Sequence, residues 1–134
     1  MKQKEFTNYI IPRLIAKFPQ FKNHLVEISG DVMNIEFKSN AGQLELWITT
    51  QDSEITIGLD DQDGLNHWHR HITSYDNALI DEDINYVSEI IENILNGKTE
   101  IIYSNLNGYA IADPEDHLSE SFGEILEVKP WSKW

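Results

Sequence analysis

The chain has 134 residues, a formal net charge of −13 at pH 7 and no cysteine, which excludes disulfides and thiolate chemistry. Residues 1–50 carry six Lys/Arg and five Asp/Glu, whereas residues 51–134 carry four Lys/Arg and eighteen Asp/Glu. Such a negative field in the second part repels nucleic acid and anionic membrane surfaces, and it favours a basic partner.

The length suits a single domain over residues 1–134, and the four Trp, five Tyr and five Phe can fill one hydrophobic core. The longest apolar run near the N-terminus is too short for a secretory signal. No segment approaches the roughly 20 apolar residues that span a bilayer. These features predict a cytoplasmic protein without a membrane partner.

The first predicted element is a helix, because apolar residues recur near the N-terminus at spacings of three and four. These residues are Phe6, Tyr9, Ile10, Leu14 and Phe18. Pro12 removes a backbone donor inside this pattern, so either the helix kinks there or its regular part begins near Pro12. Pro19 predicts its end.

From Leu25 the apolar period changes to two, which predicts an antiparallel meander with one dry face and one wet face. Strands are expected at residues 25–28, 32–38, 43–50, 54–60 and 67–72. The dry face is expected to carry Met33, Ile35, Phe37, Leu44, Leu46, Ile48, Ile55, Ile57 and Leu59. Trp47 falls on the nominally wet face.

An apolar stripe from Ile84 to Leu95, preceded by three acids at residues 81–83, predicts a second helix that Asn96-Gly97 ends. Further strands are predicted at 99–104, 108–112 and 124–129, the last after an acidic loop at 113–120. This order predicts an α+β fold. Its antiparallel sheet would comprise the meander plus a C-terminal hairpin, with the N-terminal helix and the second, amphipathic helix packed on one face.

Three histidines alternate along the strand predicted at 67–72. His67, His69 and His71 would project from one face, and Trp68 and Arg70 from the other. Imidazoles at i and i+2 can share a metal ion with an acidic neighbour. The alternative, which we favour, is a wet strand face hydrogen-bonded to carboxylates, because a tight metal site usually takes ligands from a second element. The three histidines are weak metal candidates, and no cofactor is expected.

Motifs for catalysis are absent from the sequence. Residues 60–64, Asp-Asp-Gln-Asp-Gly, resemble the start of a calcium loop, but Arg70 stands where an EF-hand needs Glu. The chain contains neither a Gly-x-Ser-x-Gly elbow nor a glycine-rich phosphate loop. We therefore do not expect an enzyme.

The acids of the second part form three groups, at 60–63, 81–83 and 113–120, which are either solvated loops or a binding surface. Like charges repel in the folded state, so their concentration favours a surface for a basic protein. Trp47, Trp68, Trp131 and Trp134 are candidate anchors of such an interface, and ordinary packing in the core is the alternative for each of them. The predicted partner-binding residues are Asp60, Asp61, Asp63, Trp68, Asp113, Glu115, Asp116 and Glu120.

Three stretches between residues 54 and 112 form a recognisable layout, which ends in the predicted hairpin. They are Ile55-Thr56-Ile57-Gly58-Leu59, Asn66-His67-Trp68-His69 and Ile90-Ile91-Glu92-Asn93-Ile94-Leu95-Asn96-Gly97-Lys98. This layout resembles bacterial immunity proteins of polymorphic-toxin and contact-dependent inhibition systems. The resemblance implies an α+β monomer or homodimer that binds and neutralises a cognate toxin, often a basic nuclease, and it implies no catalytic residues. Two alternatives stay open: an acidic secretion chaperone for an effector, and a His-based metal-binding protein or enzyme.

Overall fold

The computed structural model describes residues 1–62, 64, 67–72, 76–112 and 118–134. Within these ranges the chain forms two α-helices and eight strands, so the predicted α+β class is confirmed. The strands make two antiparallel sheets, one of five strands and one of three. None of the helices in this part of the chain has the length and apolar character needed to cross a membrane.

Helix α1 spans Gln3–Lys17, so its regular part does not begin at Pro12 as one of the two alternatives proposed. Pro12 lies on the exposed side of α1, where water can satisfy the carbonyl that its missing N–H leaves free. The helix ends before Pro19, as predicted. The chain then forms a 3₁₀ helix, Pro19–His24, which the sequence pattern did not predict.

The meander forms the five-stranded sheet, in which each strand pairs with the next along the chain. Its strands are β1 (Leu25–Ser29), β2 (Val32–Lys38), β3 (Leu44–Thr49), β4 (Ile55–Asp61) and β5 (His67–Ile72). Alternate residues of β2, β3 and β4 enter the core with 1% exposure or less: Ile35, Leu44, Leu46, Ile48, Ile55, Ile57 and Leu59. Met33 and Phe37 pack against the same core at half burial, so the predicted dry face is confirmed.

Helix α2 spans Ile80–Leu95 and buries the predicted apolar stripe, with Asp81, Glu82 and Asp83 in its first turn. The strands after it form the second sheet: β6 (Glu100–Ser104), β7 (Gly108–Ala112) and β8 (Leu126–Lys129). Its order is β7-β6-β8, so the hairpin pairs with the last strand and not with the meander. The sequence predicted one sheet that contained both the meander and the hairpin, and the structure has two sheets. The edge of β6 that does not pair with β7 pairs with β8.

Buried polar contacts fasten the start of α1 to the meander. The hydroxyls of Thr7 and Thr50 lie 2.8 Å apart, and Thr7 also donates to the carbonyl of Asp31 at 2.5 Å. Gln3 donates to the carbonyl of Thr50 at 2.6 Å and accepts from the Ser53 amide at 2.8 Å. These bonds fix α1 across the sheet face that carries the core.

The C-terminal tryptophans belong to the core. Trp131 is 5% exposed and Trp134 is 3% exposed. The ring of Trp131 stacks on Phe37 with a centroid distance of 6.3 Å, and the Trp134 indole donates to the carbonyl of Lys129 at 3.0 Å. Their prediction as interface anchors was wrong, because a polar flanking sequence does not reveal that a 3₁₀ turn folds both rings inward.

Candidate functional site

The side of the five-stranded sheet opposite the core is its open face. Because side chains alternate along each strand, this face carries the residues that do not enter the core. Both helices bury their apolar stripes on the other side of the sheet. The open face presents Asn34, Glu36, Lys38, Glu45, Trp47, Thr49, Thr56, Gly58, Asp60, His67, His69 and His71.

Trp47 lies across a glycine at the centre of the open face. Trp47, Gly58 and His69 stand opposite one another on β3, β4 and β5. A Cβ atom at position 58 would lie 2.1 Å from Cζ2 of Trp47, so the indole ring rests directly on the Gly58 backbone. The indole Nε1 is buried and has no hydrogen-bond partner among the described residues. Glycine at position 58 is therefore what allows the ring to lie flat on the sheet.

A cleft of about 480 Å³ borders this indole. The cleft, called the Trp47 cleft here, runs between the ring and the histidines of β5. Its other lining residues include Thr49, Glu54, Thr56 and Asp60. It is an aromatic trough with carboxylates and hydroxyls near its ends, a surface suited to a polar or cationic group that also has apolar area.

The three histidines form a continuous row of rings along β5. The centroids of His67 and His69 lie 5.2 Å apart with the rings stacked, and those of His69 and His71 lie 5.0 Å apart edge to face. Nδ1 of His71 lies 3.0 Å from the Thr56 hydroxyl and 3.2 Å from a Glu54 carboxylate oxygen. In the described part of the chain, no group of three or more His, Asp or Glu side chains could hold a metal ion. His71 is hydrogen-bonded at one end of the row, and the three rings lie side by side along the strand.

Three carboxylates of the open face come from neighbouring strands and are called the acidic row here: Glu36, Glu45 and Asp60. Glu36 stands opposite Trp47. Glu45 stands directly opposite Asp60, and Lys38 stands opposite Glu45 on the other side. Partial burial and then the negative charge of Glu36 raise the pKa of Glu45 above its usual range, with Asp60 adding to the effect and Lys38 opposing it. The carboxylates therefore repel one another, Lys38 offsets part of that repulsion, and a further cation from outside would relieve more of it.

The predicted partner-binding residues that the structure describes lie on different faces of the molecule. Asp60 lies on the open face, whereas Asp61 faces the core side of the sheet. Burial, and then the negative charge of Asp61, raise the pKa of Tyr109 to about 12. Trp68 stands opposite Leu59 and packs half-buried against the core, on the side of β5 opposite the histidines. Glu120 is exposed in the segment 118–125 that precedes β8, called the C-terminal loop here. Asp63, Asp113, Glu115 and Asp116 lie outside the described residues.

Two members of the acidic row, Glu36 and Glu45, were missed by the sequence analysis. Both belong to residues 1–50, whose nearly balanced charge drew no attention. The signal that could have found them is the strand alternation, which places both on the wet face together with Trp47.

The C-terminal loop exposes apolar side chains, and hydrogen bonds to one of its residues hold it against the second sheet. Phe122 is fully exposed, and Ile125 is 69% exposed. The carboxylate of Glu124 holds the loop, because it accepts from the Ser104 hydroxyl, from Asn107 at 2.9 Å and from the Ser121 amide at 3.1 Å. Exposed apolar groups on an ordered loop are a common feature of contact surfaces.

Replacing Glu124 with glutamine should lower the melting temperature at pH 7, because an amide cannot accept all three donors. The Ser104 hydroxyl and then the Ser121 amide hold the pKa of Glu124 below its usual range. The stabilisation is therefore complete above the carboxyl pKa of the unfolded chain, roughly 4.3, and disappears as the pH falls through the lower folded value. Thermal unfolding from pH 7 to 2 should show the difference from wild type shrinking at acid pH. Glu120→Gln in the same loop is the control, and a difference constant to pH 2 would contradict the role of the carboxylate.

Comparisons of this chain with protein-family models, with curated proteins and with solved structures gave no match.

Proposed function

We propose that this protein binds a basic protein partner through its open face, and that it is an immunity protein whose partner is a toxin domain. The observation that carries the proposal is the acidic row beside the Trp47 cleft, on the side of the five-stranded sheet opposite both helices. The proposal places the protein in the cytoplasm, without a nucleic-acid or membrane partner, and gives it no catalytic role.

Electrostatics supports fast and selective binding by such a face. A chain of net charge −13 attracts a basic domain over long distances, and the carboxylates of Glu36, Glu45 and Asp60 then fix its position. An acidic surface can occupy the basic, phosphate-binding site of a nuclease in place of nucleic acid. Affinity in protein interfaces comes mostly from a few buried aromatic contacts, and Trp47 is the aromatic residue at the centre of this face.

A secretion chaperone is the second candidate, and one observation favours it. Phe122 and Ile125 expose apolar surface on the C-terminal loop, where an unfolded effector segment could bind. This function would use the loop and leave the open face free. A metal-binding function has less support, because the described residues contain no group of three or more side chains that could hold a metal ion.

The test of the proposed function is binding to the product of the adjacent reading frame, purified as a folded domain. We expect a complex whose dissociation constant rises steeply between 50 mM and 500 mM salt and which abolishes the toxic activity of that domain. Binding to the unfolded domain alone would support the chaperone instead. A folded domain that is not bound at 50 mM salt would refute immunity by masking.

A further inference from the structure

The chemistry of the Trp47 cleft defines the kind of group that it can receive. Because Nε1 of Trp47 is buried, an incoming group meets the indole through its ring and not through its N–H. The imidazoles of His67 and His69 form a second aromatic border on β5. The indole itself covers Gly58, which pairs with His69, so the two aromatic borders lie on neighbouring strands with the ring against the sheet. The shape fits a flat group lying against the indole.

The charge of the cleft defines the sign of that group. Asp52, Glu54 and Asp60 line it, and no Lys or Arg stands among its described lining residues. Asp60 follows Gly58 by two residues on the same face, which puts its carboxylate within about 7 Å of the ring along the strand. Indole rings attract cations through their negative faces, more strongly than other aromatic side chains do. A flat cation is therefore favoured twice, by the ring and by the carboxylate.

We propose that the Trp47 cleft is the receptor site for an arginine side chain of the protein partner. The guanidinium group is planar, always charged and weakly hydrated, so it can stack on Trp47 while it donates hydrogen bonds to the carboxylate of Asp60. The ammonium group of lysine matches the charge but not the planarity. The hydroxyl of Thr49, which is half-buried in the cleft lining, offers an acceptor for a further guanidinium N–H group.

The inference rests on the proposed function only in that a basic partner supplies the arginine. The receptor site itself can be tested without any toxin. If the arginine peptide does not bind, the binding assay with the folded toxin domain still tests the proposed function. If the toxin domain does not bind, the peptide titration still tests the arginine site.

The experiment is a titration of ¹⁵N-labelled protein with the peptide acetyl-Gly-Arg-Gly-amide at pH 7.5, followed by NMR. The indole signal of Trp47, assigned by its loss in Trp47→Phe, should shift in a saturable way, while the signals of Trp131 and Trp134 stay. The matched citrulline peptide, which is a neutral isostere, should bind at least about fivefold more weakly than the arginine peptide. The matched lysine peptide should bind at least about twofold more weakly. Asp60→Asn should weaken the arginine peptide about fivefold, and Glu82→Gln on α2 should not change it.

Three results would overturn the site. The first is no saturable shift of the Trp47 signal. The second is equal binding of the arginine and citrulline peptides, which would show that charge is not recognised. The third is equal binding of the arginine and lysine peptides, which would remove the assignment to a guanidinium group.

Discussion

Reversing the acidic row with Glu36→Lys, Glu45→Lys and Asp60→Lys should slow association with the proposed toxin partner about tenfold or more at low ionic strength. The three carboxylates lie together on the open face, so their reversal inverts the local field where the partner docks. Stopped-flow association rates at several salt concentrations would measure the effect. The rate for the wild type should fall steeply as salt rises, and the rate for the variant should change little.

The matched control changes the same amount of charge on the other side of the molecule. Glu82, Glu89 and Glu92 are exposed on α2, so their reversal to lysine keeps the total charge change and leaves the open face intact. We expect a much smaller loss of association rate for this triple variant. Equal losses for the two variants would show that only the net charge matters and that the open face is not the docking surface.

Gly58→Ala should lower the free energy of unfolding by about 1–3 kcal/mol and displace Trp47 from the sheet. The new methyl would lie 2.1 Å from Cζ2 and 2.3 Å from Cε2 of the indole, distances that no relaxed structure contains, so the ring has to move. Urea unfolding followed by circular dichroism would measure the loss. Gly30→Ala is the control, since no atom lies within 4 Å of its Cβ, and it should change stability by less than about 0.5 kcal/mol.

A double-mutant cycle would tie the Gly58→Ala loss to the indole. In a Trp47→Val background the ring is gone, so Gly58→Ala should cost much less than it does in the wild type. An equal cost in both backgrounds would locate the strain elsewhere and would contradict the stacking of Trp47 on the glycine.

Strand alternation explains why much of the fold was predictable. The period of two in β2, β3 and β4 identified every core residue of those strands, and the predicted bounds of β5 agree with the structure. The second sheet was not predictable, because the pairing of β8 with β6 joins segments whose order in space the pattern does not encode. The burial of Trp131 and Trp134 follows from the same long-range packing.

The candidate site was predictable only in part, because charge density along the chain is a poor guide to charge density on a surface. The acidic segments drew attention to Asp60 and Asp61, although neighbours on a strand point to opposite faces. Glu36, Glu45 and Asp60 come from three strands, and only the pairing of those strands brings them together. The same alternation places Trp68 with the core, as its position opposite the histidines already implied.

The division of β2, β3 and β4 into buried and open residues has a consequence for how this protein can change. Along β3, buried residues alternate with partly exposed ones, whereas in β4 the five residues from Ile55 to Leu59 are all buried. Substitutions at Glu36, Glu45 or Thr49 can therefore alter the open face without touching the core, and the effects at Glu36 and Glu45 should be coupled through their charges. Gly58 cannot vary in this way, because any side chain there would collide with the indole of Trp47. Several positions of the open face can therefore vary in sequence, while Gly58 keeps the indole of Trp47 flat on the sheet.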